Sequence, residues 1–468
     1  MNLFAHAALI GWPIIALVLF SLLPPRRAVL ASLIGAYLFL PMSGYDLPGL
    51  SSYDKTTAAT LSTLLGVLLF DPGRLLSFRP SPFDLPILLW CFAPPLASIT
   101  NGLGVYDAGS GLVRQIFGLG VPYLLGRIYF TDLASLRELA IGIFVGGLLY
   151  VPLCLFEIRM SPQLHTIVYG WYQHSFAQTK RFGGWRPTVF MQHGLAVGFW
   201  MTIATLAGGW LWWTGAVRKM FGLSVAWLVV AICVTTILCK SFGALVLGAI
   251  GAGTLLACRQ FRSGIPLVIL SAIPISYIAI RAPDLYDGSH LLAFAESMGN
   301  EERADSLRYR LDAEGILSEH AWKRPVFGWG GWGRNRPASF EEDVKSVATD
   351  GLWIIFFGSY GMFGMIAFYA IFLLPGLMAW KVLPATAWGG PAATGAAVAV
   401  VVSVLFVIDS LFNAMLSPVY LLLSGALTGA AVSPAFTRAV SLANSGVARQ
   451  RRISSPTAVS ANVIRGHR

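Results

Sequence analysis

Long apolar runs separated by short polar segments dominate the chain. A helix needs roughly 20 apolar residues to cross a membrane, and runs near this length recur along most of the 468 residues. We predict an all-α polytopic membrane protein with about 13 transmembrane helices (12–14), over residues 6–23, 28–43, 57–70, 84–100, 111–130, 137–156, 188–208, 220–239, 242–257, 264–281, 350–379, 392–415 and 418–434.

Two long polar segments interrupt this series, at residues 157–187 and 282–349. They divide the chain into transmembrane helices 1–10 (residues 1–281), a large loop, the last transmembrane helices (350–435) and a basic tail (436–468) that we expect to be disordered. Within the large loop, residues 303–324 carry Leu307, Leu311, Ile316 and Leu317 at near-helical spacing, which predicts an amphipathic helix. The WGGWGRNRP stretch that follows is typical of a turn.

Composition supports a membrane protein. Hydrophobic residues make up 56% of the chain and charged residues 12%, with a mean hydropathy of +0.68; soluble domains carry about 25% charge. A soluble enzyme, a disordered chain and a disulfide scaffold are therefore excluded. The five cysteines lie in or beside apolar runs without a CxxC pair, so neither a disulfide framework nor a thiolate metal site is expected. The uncharged start predicts a retained first helix and not a signal peptide.

The net charge of +11 separates into two populations. Counting helices alternately puts one population in short loops and the tail on a single side, which the positive-inside rule makes cytoplasmic. The members are Arg26, Arg27, Arg74, Arg79, Arg127, Arg137, Arg218, Lys219, Arg259, Arg262, Arg449, Arg451, Arg452, Arg465 and Arg468.

The second population maps to the opposite side, against the topological preference. These residues could simply pair with acids of the large loop such as Asp305, Asp312 and Glu314. As a set they favour phosphate binding, because the planar fork of arginine matches phosphate oxygens. Its members are Arg159, Lys180, Arg181, Arg186, Lys240, Arg281, Arg303, Arg308, Arg310, Lys323, Arg324, Arg334, Arg336 and Lys345.

Two charges fall inside predicted spans, where a charge is costly and usually faces a partner or an aqueous cavity. Arg114 either faces such a cavity or extends to the outer interface. Asp409 lies in FVIDSLFNAML and requires a partner such as an arginine or a helix N-terminus. A polar link between helices is one interpretation of Asp409, and a functional role is the other.

Several segments resemble the O-antigen polymerase and ligase superfamily (Wzy-type polymerases and WaaL-type ligases). In SLRYRLDAEGILSEHAWKRPVFGWGGWG, an arginine begins an amphipathic helix that ends in a Pro-x-x-Gly-x-Gly turn. RFGGWRPTVFMQHGLAVG is similar to the arginine-led segment after the first long periplasmic loop, LCKSFGAL to a basic-Ser hairpin, and TDGLWIIFFGSYGMFGMIAF to the helix that follows the large loop. The matching residues are Arg310, Pro325, Gly328, Gly330, Arg186, Arg181, Lys240, Ser241, Gly361 and Gly364.

The resemblance implies glycan transfer from an undecaprenyl-diphosphate-linked oligosaccharide to a glycan acceptor at the periplasmic face of the bacterial inner membrane. Arg186 and Arg310 would be catalytic, stabilising the charge that grows on the leaving diphosphate. Substrate binding would involve Arg181, Arg308, Lys240, His193 and Arg114, with Trp329 and Trp332 stacking on sugars or forming an interfacial aromatic belt.

Ligases of this family carry a His-Asn pair where this chain reads Thr349-Asp350. Asp350 is therefore our candidate catalytic base, and the lost histidine favours polymerisation of exopolysaccharide or O-antigen repeat units over ligation to a lipid or protein. A non-catalytic assembly component and a lipid-linked sugar transporter are the competing classes. Membrane lipids and a chain-length regulator or flippase are expected partners.

Other motifs that would suggest a different chemistry are missing. The sequence contains no P-loop, no Rossmann glycine pattern and no H-E-x-x-H motif. We expect no cofactor, because an arginine cluster can take the place of a divalent cation, and no nucleic-acid partner.

Overall fold

A computed structural model describes residues 1–46, 52–297, 301–337, 351–438 and 440. It is 74% helix and 3% strand. In chain order, the helices are α1 Leu3–Leu22, α2 Pro25–Phe39, α3 Lys55–Phe70, α4 Pro72–Leu76, α5 Leu85–Thr100, α6 Gly104–Gln115, α7 Val121–Tyr129, α8 Leu133–Met160, α9 Leu164–Tyr169, α10 Gly194–Trp213, α11 Val225–Leu238, α12 Phe242–Phe261, α13 Ile265–Arg281, α14 Ser289–Ser297, α15 Glu301–Trp322, α16 Leu352–Val382, α17 Thr394–Asp409 and α18 Pro418–Ala431.

Among the described residues, six helical segments are long and apolar enough to cross a membrane: Leu3–Leu22, Pro82–Thr100, Leu133–Met160, Gly194–Trp213, Phe242–Phe261 and Leu352–Val382. Five further apolar helices have 10–17 residues. The prediction of a mostly helical chain with helices long and apolar enough to span a membrane is confirmed, whereas the count of 13 spans is not. Large apolar side chains such as Leu3, Ile14 and Trp227 are exposed on these helices, as expected where lipid and not water surrounds the protein.

The predicted helix boundaries hold in some places and shift in others. Helix α3 matches the predicted 57–70 to within two residues and ends with it at Phe70, but the predicted 111–130 is two helices, α6 and α7, joined by a π-helical turn at Ile116–Gly120. The predicted start at 188 is wrong, because α10 begins at Gly194. The first long loop therefore runs from the end of α8 at Met160 to His193.

The helix ends form two sets. At one end, here called the loop end, the long loops meet: Asn2 N donates to Tyr169 O (3.2 Å), and Asn101 Nδ2 donates to Gly328 O (2.8 Å). At the opposite end, Arg127 Nε contacts Asp84 Oδ1 at 3.0 Å. Helices α17 and α18 are buried along nearly their whole length and form the centre of the bundle.

Strands are confined to three two-stranded antiparallel hairpins within the described ranges. Gly44–Tyr45 (β1) pairs with Tyr53–Asp54 (β2), Lys180–Arg181 (β3) with Gly184–Trp185 (β4), and Lys219–Met220 (β5) with Leu223–Ser224 (β6). The registers are Gly44↔Asp54 and Tyr45↔Tyr53, Lys180↔Trp185 and Arg181↔Gly184, and Lys219↔Ser224 and Met220↔Leu223.

The predicted amphipathic helix and glycine turn are both present. Helix α15 buries Leu311 and Leu317, but Ile316 is exposed, so only part of the predicted apolar face is buried. After α15, the turn containing Gly328 (φ +70°) packs against Gly361 (φ +65°), where α16 departs from helical geometry. Either glycine would clash with the other segment's backbone if it carried a Cβ. The two glycine motifs are thus complementary halves of one backbone contact.

Four backbone hydrogen bonds hold that contact together. Trp329 N donates to Gly358 O (2.9 Å) and Gly330 N to Ser359 O (2.9 Å). In return, the amides after the kink, Met362 N and Phe363 N, donate to Pro325 O (2.8 Å) and Val326 O (3.1 Å). The turn therefore accepts and supplies the hydrogen bonds that the broken helix loses at Gly361.

Candidate functional site: a cation cluster at the loop end

The β3–β4 hairpin positions two of the predicted arginines. Its turn residues Phe182 and Gly183 both have positive φ, +48° and +66°, as a two-residue type I′ turn requires. Arg186 N donates to Thr179 O at 2.8 Å and continues the ladder beyond Trp185. Side chains alternate along a strand, so Arg186 and its i−2 neighbour Gly184 lie on one face, and Arg181, the register partner of Gly184, shares it.

Gly184 makes room for a third cation on this face. A Cβ at Gly184 would clash with Nζ of Lys240, so the lysine ammonium lies directly over the glycine, between the positions of the two arginines. Lys240 Nζ donates to Phe182 O (3.1 Å), and Arg186 Nη2 donates to Lys240 O (3.3 Å). The glycine thus brings the three positive groups together by having no side chain.

Two helix N-termini meet the same face. The Arg186 side chain lies against the start of α10, where a Cβ at Gly194 would clash with it. Ser241 is the N-cap of α12, but its Oγ does not cap the helix and is buried without a hydrogen-bond partner among the described residues. Helix N-termini carry partial positive charge and unpaired N–H groups, so they add to the local preference for an anion.

Helix α15 brings the fourth cation, Arg310, from the large loop. Arg310 interacts electrostatically with Arg186 and with the buried Asp409. Asp409 is the last residue of α17 and accepts from Asn413 Nδ2 at 2.8 Å. It therefore lies at the loop end of its helix and not deep within the predicted span 392–415.

A buried ion pair anchors α15 on the bundle. Arg281 Nε lies 3.4 Å from Glu314 Oε2, and both side chains are buried. Tyr277 OH and Trp353 Nε1 donate to the same carboxylate at 2.8 and 3.1 Å. For Arg281, the predicted pairing with an acid of the large loop is therefore present. Arg310 lies one turn before Glu314 on α15, so this ion pair also helps to position Arg310.

The cluster holds more positive than negative charge, because Asp409 beside Arg310 is the one carboxylate found to interact with its four cations among the described residues. Within the described part of the chain, Arg181 and Arg186 form no ion pair, and their buried Nε atoms have no hydrogen-bond partner. Burial, followed by the charges of Arg181 and Arg310, lowers the pKa of Arg186 to about 10. Like charges gathered in a partly desolvated place raise the free energy of the ligand-free protein, and an anion would lower it.

His193 lies beside this cluster as a neutral hydrogen-bonding group. Its Nδ1 accepts from Leu195 N (2.9 Å) and caps α10, which leaves the proton on Nε2. Burial, then the neighbouring His174 and the arginines, lowers the pKa of His193 to about 3. His193 can donate a hydrogen bond to a ligand from Nε2, but it does not serve as a base because Nδ1 already accepts from Leu195 N and Nε2 carries the proton.

The sequence reasoning missed His174 and Glu157. His174 is exposed, and its ring lies 4.6 Å from that of His193; His174 Nε2 pairs with Gln178 Oε1 at 3.0 Å, which makes Nδ1 an available acceptor. Glu157 is fully buried and accepts from Thr188 N (2.8 Å) and Val189 N (2.7 Å). Those bonds hold residues 187–193 out of α10. A carboxylate at the end of an otherwise apolar run was the available signal for Glu157.

The remaining predicted site residues are elsewhere. Arg308 is exposed and pairs with Glu296 at 2.8 Å. Trp329 stacks on His320 (4.5 Å, 10°) and contacts the Arg324 guanidinium, so its ring is already engaged by the protein. Asp350 lies outside the described residues.

A second group forms where the glycine turn meets α6. The Arg114 guanidinium lies 5.1 Å from the ring centroid of Trp332, whose Nε1 donates to Asp107 Oδ1 (2.9 Å). Arg334 lies 3.9 Å from the same carboxyl group. Trp332 is exposed, so the structure brings Arg114 and Trp332 together but in a group distinct from Arg186 and Lys240.

The cation cluster can hold a multivalent oxyanion, since it presents three cations on one face, a fourth from α15, a hydroxyl and a neutral imidazole. Among the described residues, no three His, Cys, Asp or Glu side chains group as metal ligands would. In comparisons with known proteins, no family model and no curated protein matches the chain.

Proposed function

We propose that the protein transfers a glycan from an undecaprenyl-diphosphate-linked donor to an acceptor hydroxyl, with the cation cluster holding the diphosphate. The proposal rests on the grouping of Arg181, Arg186 and Lys240 over Gly184, with Arg310 close by. The buried Nε atoms of Arg181 and Arg186 have no hydrogen-bond partner among the described residues. A lipid-linked diphosphate supplies both the charge this site lacks and a tail suited to the apolar helices beside it.

The chemistry follows from where charge develops. The acceptor oxygen attacks the anomeric carbon of the donor, a new C–O bond forms, and the bond from that carbon to the diphosphate oxygen breaks. The electron pair leaves with the lipid diphosphate, and the acceptor proton passes to a base. Fixed cations at the leaving oxygen stabilise the transition state more than the ground state. Attack opposite the diphosphate inverts the anomeric centre.

Two residues are candidates for the base. Asp350 is the candidate from the sequence, and a carboxylate there would act if burial tuned its pKa. His174 is the second candidate, because its imidazole lies against His193 at the edge of the cluster and its Nδ1 is an acceptor.

The preferred reaction is polymerisation of repeat units, and ligation onto a lipid or protein is the alternative. We place the protein in the bacterial inner membrane with its loop end in the periplasm. Basic residues support this orientation, because Arg26, Arg27, Arg74, Arg127 and Arg259 belong to the opposite end, where the positive-inside rule expects them.

The first test measures transfer by membranes containing Arg186→Ala or Arg310→Ala. We expect a fall in rate of about 100-fold or more, typical for removal of a transition-state donor. Arg308→Ala is the matched control, since that arginine is exposed and paired with Glu296, and it should retain wild-type rates. Normal transfer by a properly inserted Arg186→Ala protein contradicts the proposal.

In the same assay, Asp350→Asn and His174→Gln identify the base by the larger fall in kcat.

A second experiment separates the reaction classes. In a deletion strain, accumulation of single lipid-linked repeat units at the periplasmic face indicates a polymerase, and accumulation of long lipid-linked polymer indicates a ligase. Retention of the repeat units at the cytoplasmic face indicates a transporter and would contradict transfer chemistry.

A further inference from the structure

Two adjoining cavities open at the loop end beside the cation cluster. The first, of about 330 Å³, lies between the start of α3, residues 191–192 and residues 416–418; the second, of about 430 Å³, extends toward α6. Both are lined by Asp54, Thr56, Leu416 and Pro418. They therefore adjoin each other and are called the double cavity below, and together they are large enough for a short oligosaccharide segment.

Lys55 places a buried cation in the first cavity. It is only 7% exposed, and its Nζ donates to Phe190 O at 2.7 Å. No described acidic side chain forms an ion pair with it, and its Nζ lies 5.9 Å from the ring centroid of Tyr37. A buried charge without a counter-charge is costly unless a ligand supplies one. An anionic ligand in the first cavity would therefore stabilise the charged form of Lys55.

The second cavity presents a second cation and several neutral hydrogen-bonding groups. Arg114 and the amide of Gln115 line it from α6. The hydroxyl groups of Ser52, Thr57 and Ser417 also line it, from other segments. Gln115 is fixed there because its Oε1 accepts from Trp90 Nε1 (2.9 Å). Amides, hydroxyl groups and aromatic rings such as that of Trp90 are the groups that recognise sugars.

Asp54 is the one acidic side chain among the described residues that line the double cavity. Its Oδ1 already accepts from Thr57 N (2.8 Å) and caps α3, so part of its charge is used by the helix N-terminus. Counted in their charged forms, Lys55, Arg114 and Asp54 give the lining of the double cavity a formal net charge of +1. A carboxylate in such a place can accept hydrogen bonds from sugar hydroxyl groups.

A single residue joins the double cavity to the cation cluster. Gln192 lines the first cavity, and the next residue is His193, which interacts electrostatically with Arg181, Arg186 and Arg310. A ligand in the double cavity therefore lies next to whatever the cluster holds.

We infer that the double cavity binds the acceptor glycan, and that it selects an acceptor sugar bearing a carboxylate or phosphate group. Lys55 and Arg114 hold the anionic group, while Asp54, Gln115 and the hydroxyl groups bind the sugar hydroxyls. The inference rests on the proposed function, because it assigns the donor to the cation cluster and the acceptor to this neighbouring site.

Binding to the purified full-length protein in detergent tests the inference without relying on turnover. Trigalacturonic acid carries the carboxylate, glucose 6-phosphate the phosphate, and maltotriose is the neutral probe. We expect one anionic probe to bind at least about ten-fold more tightly than maltotriose, as one charge-assisted hydrogen bond would provide. Which anionic probe binds identifies the acceptor group. Equal binding of all three probes, or no binding of either anionic probe, overturns the inference.

Variants locate the binding. Lys55→Met and Arg114→Gln should each weaken binding of the anionic probe by about ten-fold or more. Arg308→Ala, which changes an exposed arginine paired with Glu296, should leave that binding unchanged. Because Lys55→Met changes a buried site and could unfold the protein, the exposed Arg114 supplies the second variant. Unchanged affinity in a folded variant of either residue overturns the assignment.

Failure of this inference can be told apart from failure of the proposed function by a second probe. Geranylgeranyl diphosphate represents the donor, and its binding should weaken in Arg186→Ala but not in Lys55→Met. If that pattern holds while the anionic sugars fail to bind, the acceptor site is wrong and the donor site stands. If Arg186→Ala binds the diphosphate normally, the proposed function fails independently.

Discussion

At the residue scale, the cation cluster depends on an absent side chain as much as on charged ones. Gly184 lies between the positions of Arg181 and Arg186, and the ammonium group of Lys240 occupies the space above it. The resemblance drew attention to the cations, but no pattern in the sequence marked Gly184. Its role follows from the register of a two-residue hairpin, which local sequence does not specify.

The substitution Gly184→Ala should separate binding from folding. The new methyl group meets the flexible end of Lys240, which can move aside, so we expect a melting temperature within about 2 °C of wild type. Displacing the ammonium should weaken geranylgeranyl diphosphate binding by about ten-fold. Lys240→Met should do the same, and the double variant should be no worse than Lys240→Met alone, because both act on one contact. Additive losses would contradict this contact.

The neutral His193 predicts a pH dependence of stability. Its pKa is about 3 in the folded protein and ordinarily about 6.5, so below pH 6.5 the unfolded chain binds a proton that the folded protein does not. Stability should therefore fall as the pH is lowered from 6.5 toward 3, by up to about 2 kcal/mol at pH 5. Burial also lowers the pKa of His165 to about 4, which adds a similar loss.

His193→Asn checks this assignment, since asparagine can cap α10 without titrating. In thermal unfolding of the detergent-solubilised proteins, the stability of the variant should fall less between pH 7.5 and pH 5 than that of the wild type. Part of the fall in stability should remain in the variant, because His165 still titrates there. A decline identical to that of the wild type would show that His193 does not contribute.

At the element scale, the sequence predicted those features that depend on apolar run length and missed those that depend on tertiary contacts. Helices such as α3 and α15 follow from their residue patterns. The late start of α10 does not, because the buried Glu157 holds Thr188 N and Val189 N in a segment that is itself apolar enough for helix. Likewise, nothing local shows that the turn at Gly328 fits the kink at Gly361.

The kink of α16 gives an element-scale prediction. Gly361 has φ +65° and ψ −170°, a region occupied essentially by glycine alone, and a Cβ there would clash with Val326 O. We expect Gly361→Ala to destabilise the protein by about 3 kcal/mol or more, measured as the free energy of unfolding in mixed detergent micelles.

Gly243→Ala is the matched control for that measurement. Gly243 lies in α12, and a methyl group added there would have no described neighbouring atom within 4 Å, so alanine should be neutral or stabilise by up to about 1 kcal/mol. Equal stability of the two variants would mean that the contact between the turn and the kink does not support the fold.

At the scale of the whole molecule, the division between the loop end and the opposite end predicts how the protein lies in the membrane. Phe182 at the tip of the β3–β4 hairpin and Phe221 at the tip of the β5–β6 hairpin are both exposed. They mark opposite ends of α10. Single cysteines at the two positions should therefore react with reagents on opposite sides.

Labelling of intact cells with a membrane-impermeant maleimide measures this arrangement. Phe182→Cys should react directly, and Phe221→Cys only after permeabilisation. The wild type is the background control, since four of its five cysteines are buried. Reaction of both or of neither variant in intact cells would reject the proposed orientation, and the reverse pattern would place the cation cluster in the cytoplasm.

The backbone contact between the turn at Gly328 and the kink at Gly361 also has a consequence for how the protein is made. Gly361 lies nine residues inside α16, about 14 Å along the helix from its start, yet the residues that hydrogen-bond to the helix on either side of it precede α16 in the chain. Residues 325–330 are synthesised first and must wait for the partner helix before their backbone groups are satisfied. In a ribosome-bound chain that ends before α16, the position of Arg310 would not yet be fixed. We therefore expect the protein to bind the donor only late in translation, after α16 and α17 have packed into the bundle.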